Sequence, residues 1–200
     1  MESKLNRKQR TEQKTRHTIL ASGVRILQSH GLKNFTMDKV AEHAGIAKGT
    51  LYLYFKNKND LLLSVADYCF KPLHDEVLKI FTKNISPVEK LQQYISETTR
   101  HTEQNRALFY ELKIVWLTLF EKVINDTSSI YWEMVHIFAQ TFEDGVTQNL
   151  LRPMDTEKVA LFFIDSIDRV MFRKIFSNAN ESAEDDASEL LNIYLHGLAL

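Results

Sequence analysis

Apolar residues recur every three or four positions along almost the whole chain, and no segment shows the strict alternation that is typical of a strand. This pattern predicts an all-α protein. We expect two short helices between residues 36 and 54, and long helices over residues 8–30, 58–83, 87–104, 106–123, 127–149, 155–177 and 184–199.

Several helix boundaries carry specific signals. Ser86 is placed as a cap, Pro87 as the first helical residue and Glu89 as the third, which together form a capping box. Pro72 lies inside the helix predicted over 58–83 and should kink or loosen it. The helix start near residue 58 is favoured by Asn59 and Asp60. The acidic polar run 177–188 is expected to be a loop whose later carboxylates suit the N-terminus of the helix predicted over 184–199.

Residues 35–58, FTMDKVAEHAGIAKGTLYLYFKNK, predict two short helices joined by a tight turn. Thr36 can cap the first helix, and Gly45 can supply the positive φ that ends it. Leu51 and Phe55, four positions apart, should face inward. This arrangement is typical of a helix-turn-helix unit, whose second helix enters the major groove of DNA. An ordinary helical hairpin with a solvated basic edge is the alternative.

The residues best placed to contact DNA follow from this arrangement. Small residues at the start of the second helix let its backbone approach a groove wall, and lysines after the helix can bind phosphate. The candidates are Lys48, Gly49, Thr50, Tyr52 and Tyr54, with Lys56 and Lys58 as phosphate partners.

The charge is distributed unevenly although the net charge of the chain is −1. Residues 1–60 carry 12 Lys/Arg against 5 Asp/Glu, a net of +7, whereas residues 61–200 carry 13 against 21, a net of −8. A basic head on an acidic body indicates phosphate binding by one module. We therefore expect a DNA-binding domain over 1–60 and a helical body over 61–200. Residues 1–8 are expected to be disordered, as a solvated tail or as an arm that reaches the minor groove.

Residues 16–63 resemble the TetR family of transcriptional regulators. The resemblance is carried by ILASGVRILQSHG and by FTMDKVAEHAGIAKGTLYLYFKNKNDLL, whose ending TLYxYFxNKxxLL is specific to that family. It implies an N-terminal three-helix helix-turn-helix head and a larger C-terminal helical body that binds an effector and dimerises.

The resemblance also implies roles for individual residues. Thr36 resembles a phosphate-contacting helix cap, and Lys48, Gly49 and Thr50 resemble the base-reading start of the third helix. In the same way, Tyr52 resembles a tyrosine that contacts phosphate or a thymine methyl group, and Lys58 a phosphate-binding lysine. Two positions depart from the family's pattern, because Tyr54 stands where many members have His and Ala47 where Ser or Thr is usual.

The last two long helices have unusually wide apolar faces, with Val159, Phe162, Phe163, Ser166, Ile167 and Val170 on the first and Leu190, Leu191, Ile193, Tyr194, Leu198 and Leu200 on the second. A two-fold four-helix interface between two copies would cover both faces. It would also place two reading heads about 34–36 Å apart, which matches a palindromic operator. Burial of these faces within one monomer is the alternative.

The middle of the chain is rich in aromatic residues that could line a ligand cavity or simply form the core. Phe109, Trp116 and Phe120 are predicted to share one helix face. Asp165 and Asp168 interrupt an apolar helix, so they are either polar anchors for a ligand or surface groups, with Asp165 paired to Arg169. The candidate effector-binding residues are Phe109, Glu111, Trp116, Phe120, Tyr131, Phe138, Phe142, Asp165 and Asp168.

Other functional classes find little support. A single cysteine, Cys69, excludes an intrachain disulfide, and neither a signal peptide nor a membrane span is predicted, so a cytoplasmic protein with no membrane partner is expected. No catalytic or metal-binding motif is present, so we expect no enzyme, no cofactor and no metal.

Two hypotheses for the function involve DNA. The first is a homodimeric repressor that is released from its operator by a small apolar or aromatic effector. The second is an architectural or cell-division DNA-binding protein of the same fold that binds no effector. A helical interaction protein that does not bind DNA is the third alternative.

Overall fold

The computed structural model describes residues 7–176 and 183–198, which form nine α-helices and one 3₁₀ helix and contain no strand. The all-α prediction is confirmed for these residues. In chain order the elements are α1 (Arg7–His30), the 3₁₀ helix (Leu32–Asn34), α2 (Met37–His43), α3 (Lys48–Tyr54), α4 (Lys58–Phe81), α5 (Pro87–Gln104), α6 (Arg106–Asn125), α7 (Ile130–Thr147), α8 (Thr156–Phe176) and α9 (Ala183–Leu198).

The chain divides into two compact units. The first unit extends to Phe70 and includes Glu111–Leu119, and the second consists of Lys71–Tyr110 and Phe120–Leu200. Helices α4 and α6 therefore contribute residues to both units. The functional division into residues 1–60 and 61–200 stays a prediction, because it concerns activities rather than compactness.

Large side chains from several helices form the core of the first unit. Helix α1 buries Ile19, Leu20, Ile26 and Leu27, which recur at helical spacing. The other fully buried members are Phe35, Val40, Leu51, Leu61 and Val65. Gly23 allows α1 to pack closely here, because a Cβ at this position would lie 2.6 Å from Cγ2 of Val65.

Residues 111–119 of α6 are attached to the first unit by a specific hydrogen bond. The backbone N–H of Leu32 donates to Oε2 of Glu111 over 2.7 Å. This N–H opens the 3₁₀ helix, so it has no partner within the helix, and the carboxylate satisfies it. Gly31, at φ 69°, precedes it in the left-handed region.

The sequence pattern predicted one regular helix for α6, but the structure contains a break in it. Leu119 has non-helical backbone angles, φ −115° and ψ 15°. The axis of α6 is therefore kinked at Leu119. Phe109 and Trp116 precede the break and Phe120 follows it, so a face shared by all three stays a prediction.

Packed aromatic rings form the core of the second unit. Phe163 of α8 lies at its centre, with ring centroids 5.2 Å from Phe138, 5.7 Å from Phe142 and 5.5 Å from Tyr194. Phe138, Phe142 and Phe163 are all fully buried. Tyr94 of α5 completes the cluster at 4.8 Å from Phe138. Edge-to-face packing of this kind stabilises the core beyond the burial of apolar area.

The helix boundaries agree with the sequence signals in part. The capping box of Ser86 and Glu89 is confirmed by its two reciprocal hydrogen bonds. Helix α4 continues through Pro72. It begins at Lys58 as predicted, with Asp60 in its first turn, and Oδ1 of Asn57 accepts the N–H of Asp60 over 3.0 Å.

Two of the irregular segments are shorter than predicted. Arg7 and Lys8 are already helical, so the disorder expected for residues 1–8 is wrong there, and residues 1–6 lie outside the described residues. Helix α9 begins at Ala183, so 183–188 are not a loop. The start predicted at residue 184 is therefore confirmed within one residue, and the acidic residues of the run favour the first turn of the helix. Residues 177–182 also lie outside the described residues.

No helix in the described part of the chain combines the length and the apolar character needed to cross a membrane.

The contact of Gly23 with α4 can be tested by adding one methyl group. We expect Gly23→Ala to lower the free energy of unfolding by about 1–2 kcal/mol, because the new Cβ overlaps Val65. Urea denaturation followed by circular dichroism measures this. The control is Gly49→Ala, whose Cβ would have no neighbour within 4 Å and which should be neutral or stabilising by up to about 1 kcal/mol. Equal stability of the two variants would contradict the close packing.

Candidate nucleic-acid interface

Two local features hold α2 and α3 at a sharp corner. Oγ1 of Thr36 accepts the N–H of Lys39 over 3.2 Å, which confirms Thr36 as the cap of α2. Gly45, at φ 67°, then turns the chain, and the N–H of Ile46 donates to the carbonyl of Ala41 over 3.0 Å. Because the left-handed backbone at Gly45 suits glycine, the sequence folds into this corner without strain.

Burial of one face of α3 exposes the opposite face. Leu51 is 0% and Phe55 2% exposed, as predicted, and both belong to the core of the first unit. The structure brings the predicted DNA-contacting residues of α3 together: Lys48, Gly49 and Tyr52 are exposed, and Thr50 and Tyr54 are half-buried. All five remain accessible to a ligand.

Side-chain hydrogen bonds shape the segment between α3 and α4. Oδ2 of Asp60 accepts the N–H of Lys56 over 2.8 Å, while Asn57 accepts the N–H of Asp60. The two bonds fix the backbone that carries Lys56, which is exposed, and Lys58, which is half-buried at the start of α4. Two lysines are thereby held near the positive end of the α4 dipole, which attracts anions.

Lys48 has a partner that sequence reasoning missed. Its Nζ lies 2.6 Å from Oδ1 of Asp38 in the first turn of α2, and both side chains are largely exposed. This hydrogen bond and the charge on Asp38 raise the pKa of Lys48 above its ordinary value. The pairing holds the ammonium group at the α2–α3 corner.

Leu53 is a second residue that the sequence analysis overlooked. It is 84% exposed on α3, beside Tyr52. The signal was present in the spacing, because Leu53 lies two positions from both Leu51 and Phe55 and so points away from the face that they bury. An exposed leucine on a helix that enters the major groove can contact a thymine methyl group.

The candidate effector residues do not form one cluster. Phe138 and Phe142 lie in the packed ring core of the second unit, and Phe109 is buried with its ring 5.5 Å from that of His101. Phe120 is half-buried directly after the helix break. Glu111 and Trp116 belong to the first unit, where Nζ of Lys113 lies 4.5 Å from the Trp116 ring.

Two tyrosines adjoin the two candidate aspartates at the edge of the ring core. The hydroxyl of Tyr131 donates to Oδ1 of Asp165 over 3.4 Å. Burial raises the pKa of Tyr131 to about 12, and the charge on Asp165 contributes. Burial also raises the pKa of Tyr94, with a smaller contribution from the charge on Asp168. Tyr94 was missed because its helical spacing is also that of an ordinary core residue.

The outer faces of α8 and α9 form a solvent-open groove of about 610 Å³. The hydroxyls of Ser166 and Tyr194 lie 3.0 Å apart and join the two helices. Phe162, 58% exposed, and Ile193, 61% exposed, project from α8 and α9 respectively. The groove is lined by Phe162, Asp165, Ser166, Arg169, Val170, Leu190 and Tyr194.

Comparison with known proteins gives matches to bacterial regulators. A family model described as "Bacterial regulatory proteins, tetR family" matches residues 19–65. The HTH-type transcriptional regulator AcrR of Shigella flexneri is 24% identical over 196 residues, which is 92% of this chain and 90% of that protein. The fatty acid metabolism regulator protein of Bacillus subtilis is 43% identical over 47 residues, which is 24% of each chain.

A solved structure shows the same fold across nearly the whole chain. Thermus thermophilus FadR, a TetR-family transcriptional repressor in complex with lauroyl-CoA, superposes with a TM-score of 0.69 at 17% identity, covering 92% of this chain and 95% of that one. At this identity the likeness concerns the fold alone. The chain spans less than two thirds of the length of several curated relatives that it matches. The proteins named in these matches are regulators, and none is named as an enzyme.

Proposed function

We propose that this chain, which belongs to the tetR family of bacterial regulatory proteins, is a homodimeric repressor that binds a palindromic operator and is released from it by a small apolar effector. The observation that carries the proposal is the exposed face of α3 on the basic part of the chain. A protein of this kind acts in the cytoplasm, where it meets DNA. We retain residues 1–60 as the DNA-binding domain and 61–200 as the effector-binding and dimerisation domain.

We assign base reading to the exposed face of α3. Lys48, Gly49, Thr50 and Tyr52 form its accessible part, and we add Leu53 as an apolar contact for a thymine methyl group. A basic side chain can donate to guanine in the major groove, so Lys48 is the strongest candidate for sequence discrimination. To do so it must give up or share its pairing with Asp38.

We assign phosphate binding to the residues around α3. Thr36 keeps its hydroxyl hydrogen available while its oxygen caps α2. Lys56 and Lys58 lie on the fixed segment before α4, and the half-buried Tyr54 can present its hydroxyl from the end of α3. Contacts to phosphate orient a protein on DNA without reading its sequence.

The roles of the two lysines can be separated by substitution. We expect Lys58→Ala to weaken binding by a similar factor on all duplexes and to make the dependence of log K on log salt shallower by about 1 per protomer. Lys48→Ala should also reduce discrimination against mismatched operators by about 1–3 kcal/mol per affected base pair. Fluorescence anisotropy on the DNA upstream of the chain's own gene and on single-base variants measures both effects.

Two outcomes of this experiment would contradict the assignment. If wild-type protein showed no salt-sensitive binding to DNA, the proposed function would be wrong. If both substitutions changed base preference to the same degree, the division between base reading and phosphate binding would be wrong.

We place the dimer interface on the outer faces of α8 and α9. The exposed Phe162 and Ile193 would be covered by a second copy, and the groove between the helices offers space for large side chains. Asp165 and Arg169 lie one turn apart along this groove. A two-fold arrangement that pairs Asp165 of one copy with Arg169 of the other would make this surface complementary to itself.

This interface predicts that Phe162→Glu shifts the protein from dimer to monomer, because a buried unpaired carboxylate is costly. Sedimentation velocity at micromolar concentration measures the change. The matched control is Leu150→Glu, which alters another exposed apolar residue outside α8 and α9 that does not line the groove and should leave the dimer intact. A monomeric wild-type protein, or a dimeric Phe162→Glu variant, would exclude this interface.

We propose that the effector binds in the second unit beside the aromatic core. Phe138 and Phe142 would supply apolar contacts, and Phe109 and Phe120 would supply further ones. Tyr131, Asp165 and Asp168 would form the polar edge of the site. The named functions of two similar proteins, a fatty acid metabolism regulator and a repressor bound to lauroyl-CoA, favour an acyl chain as the apolar group. Roles for Glu111 and Trp116 stay predictions, because both belong to the first unit.

The acyl hypothesis is tested with lauroyl-CoA and with laurate as separate probes. We expect at least one to raise the melting temperature and to weaken operator binding by roughly 5–150-fold, the usual range of allosteric coupling. Decanol at the same concentration is the control for nonspecific apolar binding. No response to either probe would exclude an effector with a twelve-carbon acyl chain. Operator affinity that no host-cell extract alters would favour the architectural or cell-division alternative.

A further inference from the structure

Helix α5 carries a row of polar side chains on the face that packs into the second unit. Its four members stand at positions i, i+4, i+7 and i+8, so they lie on one side of the helix: Tyr94, Thr98, His101 and Thr102. Tyr94 belongs to the aromatic core, and the hydroxyl of Thr98 adjoins its own. Because a packed helix face is normally apolar, this row needs polar partners.

The polar atoms at the far end of the row have no such partners. Oγ1 of Thr102 and Nδ1 of His101 are both inaccessible to solvent, and neither has a hydrogen-bond partner among the described residues. Thr102 as a whole is only 4% exposed. A buried polar group without a partner destabilises the folded state. Two such groups, one position apart, therefore require an explanation.

Other threonines in the helices show how this cost is usually avoided. The hydroxyls of Thr118 and Thr141 donate to the carbonyl four residues earlier, over 2.7 Å and 2.8 Å. Thr141 is also 4% exposed. Thr102 thus differs from Thr141 in its hydrogen bonding and not in its burial.

His101 is an uncharged member of the row at neutral pH. Burial lowers the pKa of His101, and the charge on the neighbouring Arg100 lowers it further, while Glu97 opposes the shift. A neutral imidazole offers one N–H donor and one acceptor nitrogen. The row can therefore donate and accept hydrogen bonds, but it supplies no positive charge that would hold an anion.

Acidic side chains of α8 lie close to the other end of the row. The charge on Asp168 contributes to the raised pKa of Tyr94, and Asp165 accepts the hydroxyl of Tyr131. A carboxylate brought into this region would be repelled by both aspartates. An uncharged polar group fits these surroundings.

We propose that Thr102 and His101, with Thr98 beside them, bind the carbonyl oxygen of an acyl thioester or ester effector. This inference rests on the proposed function, because it names the chemical group by which the second unit recognises its effector. A carbonyl oxygen has two lone pairs and no formal charge, so it can accept both the threonine hydroxyl and the imidazole N–H. The acyl chain would continue along the aromatic rings.

The test removes one hydrogen-bonding atom from the protein and one from the ligand. Thr102→Val keeps the shape of the side chain without its hydroxyl, and S-dodecyl-CoA is a thioether that lacks the carbonyl oxygen of lauroyl-CoA. We expect wild-type protein to prefer lauroyl-CoA by about tenfold or more in isothermal titration calorimetry, and Thr102→Val to reduce this preference about fivefold. Affinity for S-dodecyl-CoA should not change.

Melting temperature without ligand gives an independent measurement. Thr102→Val should melt at a higher temperature than wild-type protein, because an apolar methyl group replaces a buried hydroxyl that has no partner. The matched control is Thr141→Val, which removes an equally buried hydroxyl that donates to Ile137. It should not raise the melting temperature, and it should keep the wild-type preference for lauroyl-CoA.

A second variant protects the test against a failure of Thr102→Val to fold. His101→Phe retains an aromatic ring beside Phe109, whose centroid lies 5.5 Å away, and removes both ring nitrogens. We expect it to lower the preference for lauroyl-CoA over S-dodecyl-CoA about fivefold as well.

The outcomes separate this site from the proposed function. If lauroyl-CoA binds and releases operator DNA while Thr102→Val and His101→Phe keep the wild-type preference, the proposed function stands and the carbonyl site is wrong. A preference lost equally in Thr141→Val would also overturn the site. If neither CoA compound binds wild-type protein, the acyl effector of the proposed function is wrong, and the carbonyl site is wrong with it.

Discussion

Burial of Leu51 and Phe55 is the interaction on which the DNA-binding surface depends. These two side chains, one turn apart, fix the rotation of α3 about its axis by packing into the core of the first unit. Once they are buried, Tyr52 and Leu53 must point outward. A change that loosened either contact would therefore turn the reading face as well as weaken the core.

Short polar contacts add precision to the surface that apolar burial creates. Thr36 caps α2, and Asn57 with Asp60 fixes the turn into α4. Asp38 holds Lys48 beside the α2–α3 corner. An exposed ion pair of this kind contributes little to stability, but it limits the positions that a long side chain can occupy. The side chains proposed to meet DNA are thus partly ordered before binding.

The second unit combines a closed core with an open outer surface. Its rings pack edge to face around Phe163, whereas the neighbouring Phe162 is exposed on the same helix. One helix therefore serves two surfaces, because residues adjacent in sequence point about 100° apart. The predicted wide apolar face of α8 proves to be a buried stripe beside an exposed stripe.

The sequence by itself determined the helical class, the corner at Gly45 and the inward positions of Leu51 and Phe55. These features follow from local periodicity and from backbone preferences that act over a few residues. For the same reason the capping box at Ser86 and Glu89 could be recognised. The exposed residues of α3 then followed from the positions that were buried.

Only the tertiary structure decided which distant residues meet. The pairing of Asp38 with Lys48, of Leu32 with Glu111 and of Tyr131 with Asp165 joins positions on different elements, and no local pattern specifies such contacts. The break at Leu119 also could not be predicted from the sequence, because the apolar helical pattern continues through it. Helical spacing shows which side of a helix is apolar. Tertiary packing decides which neighbouring element covers that side and where the helix is interrupted.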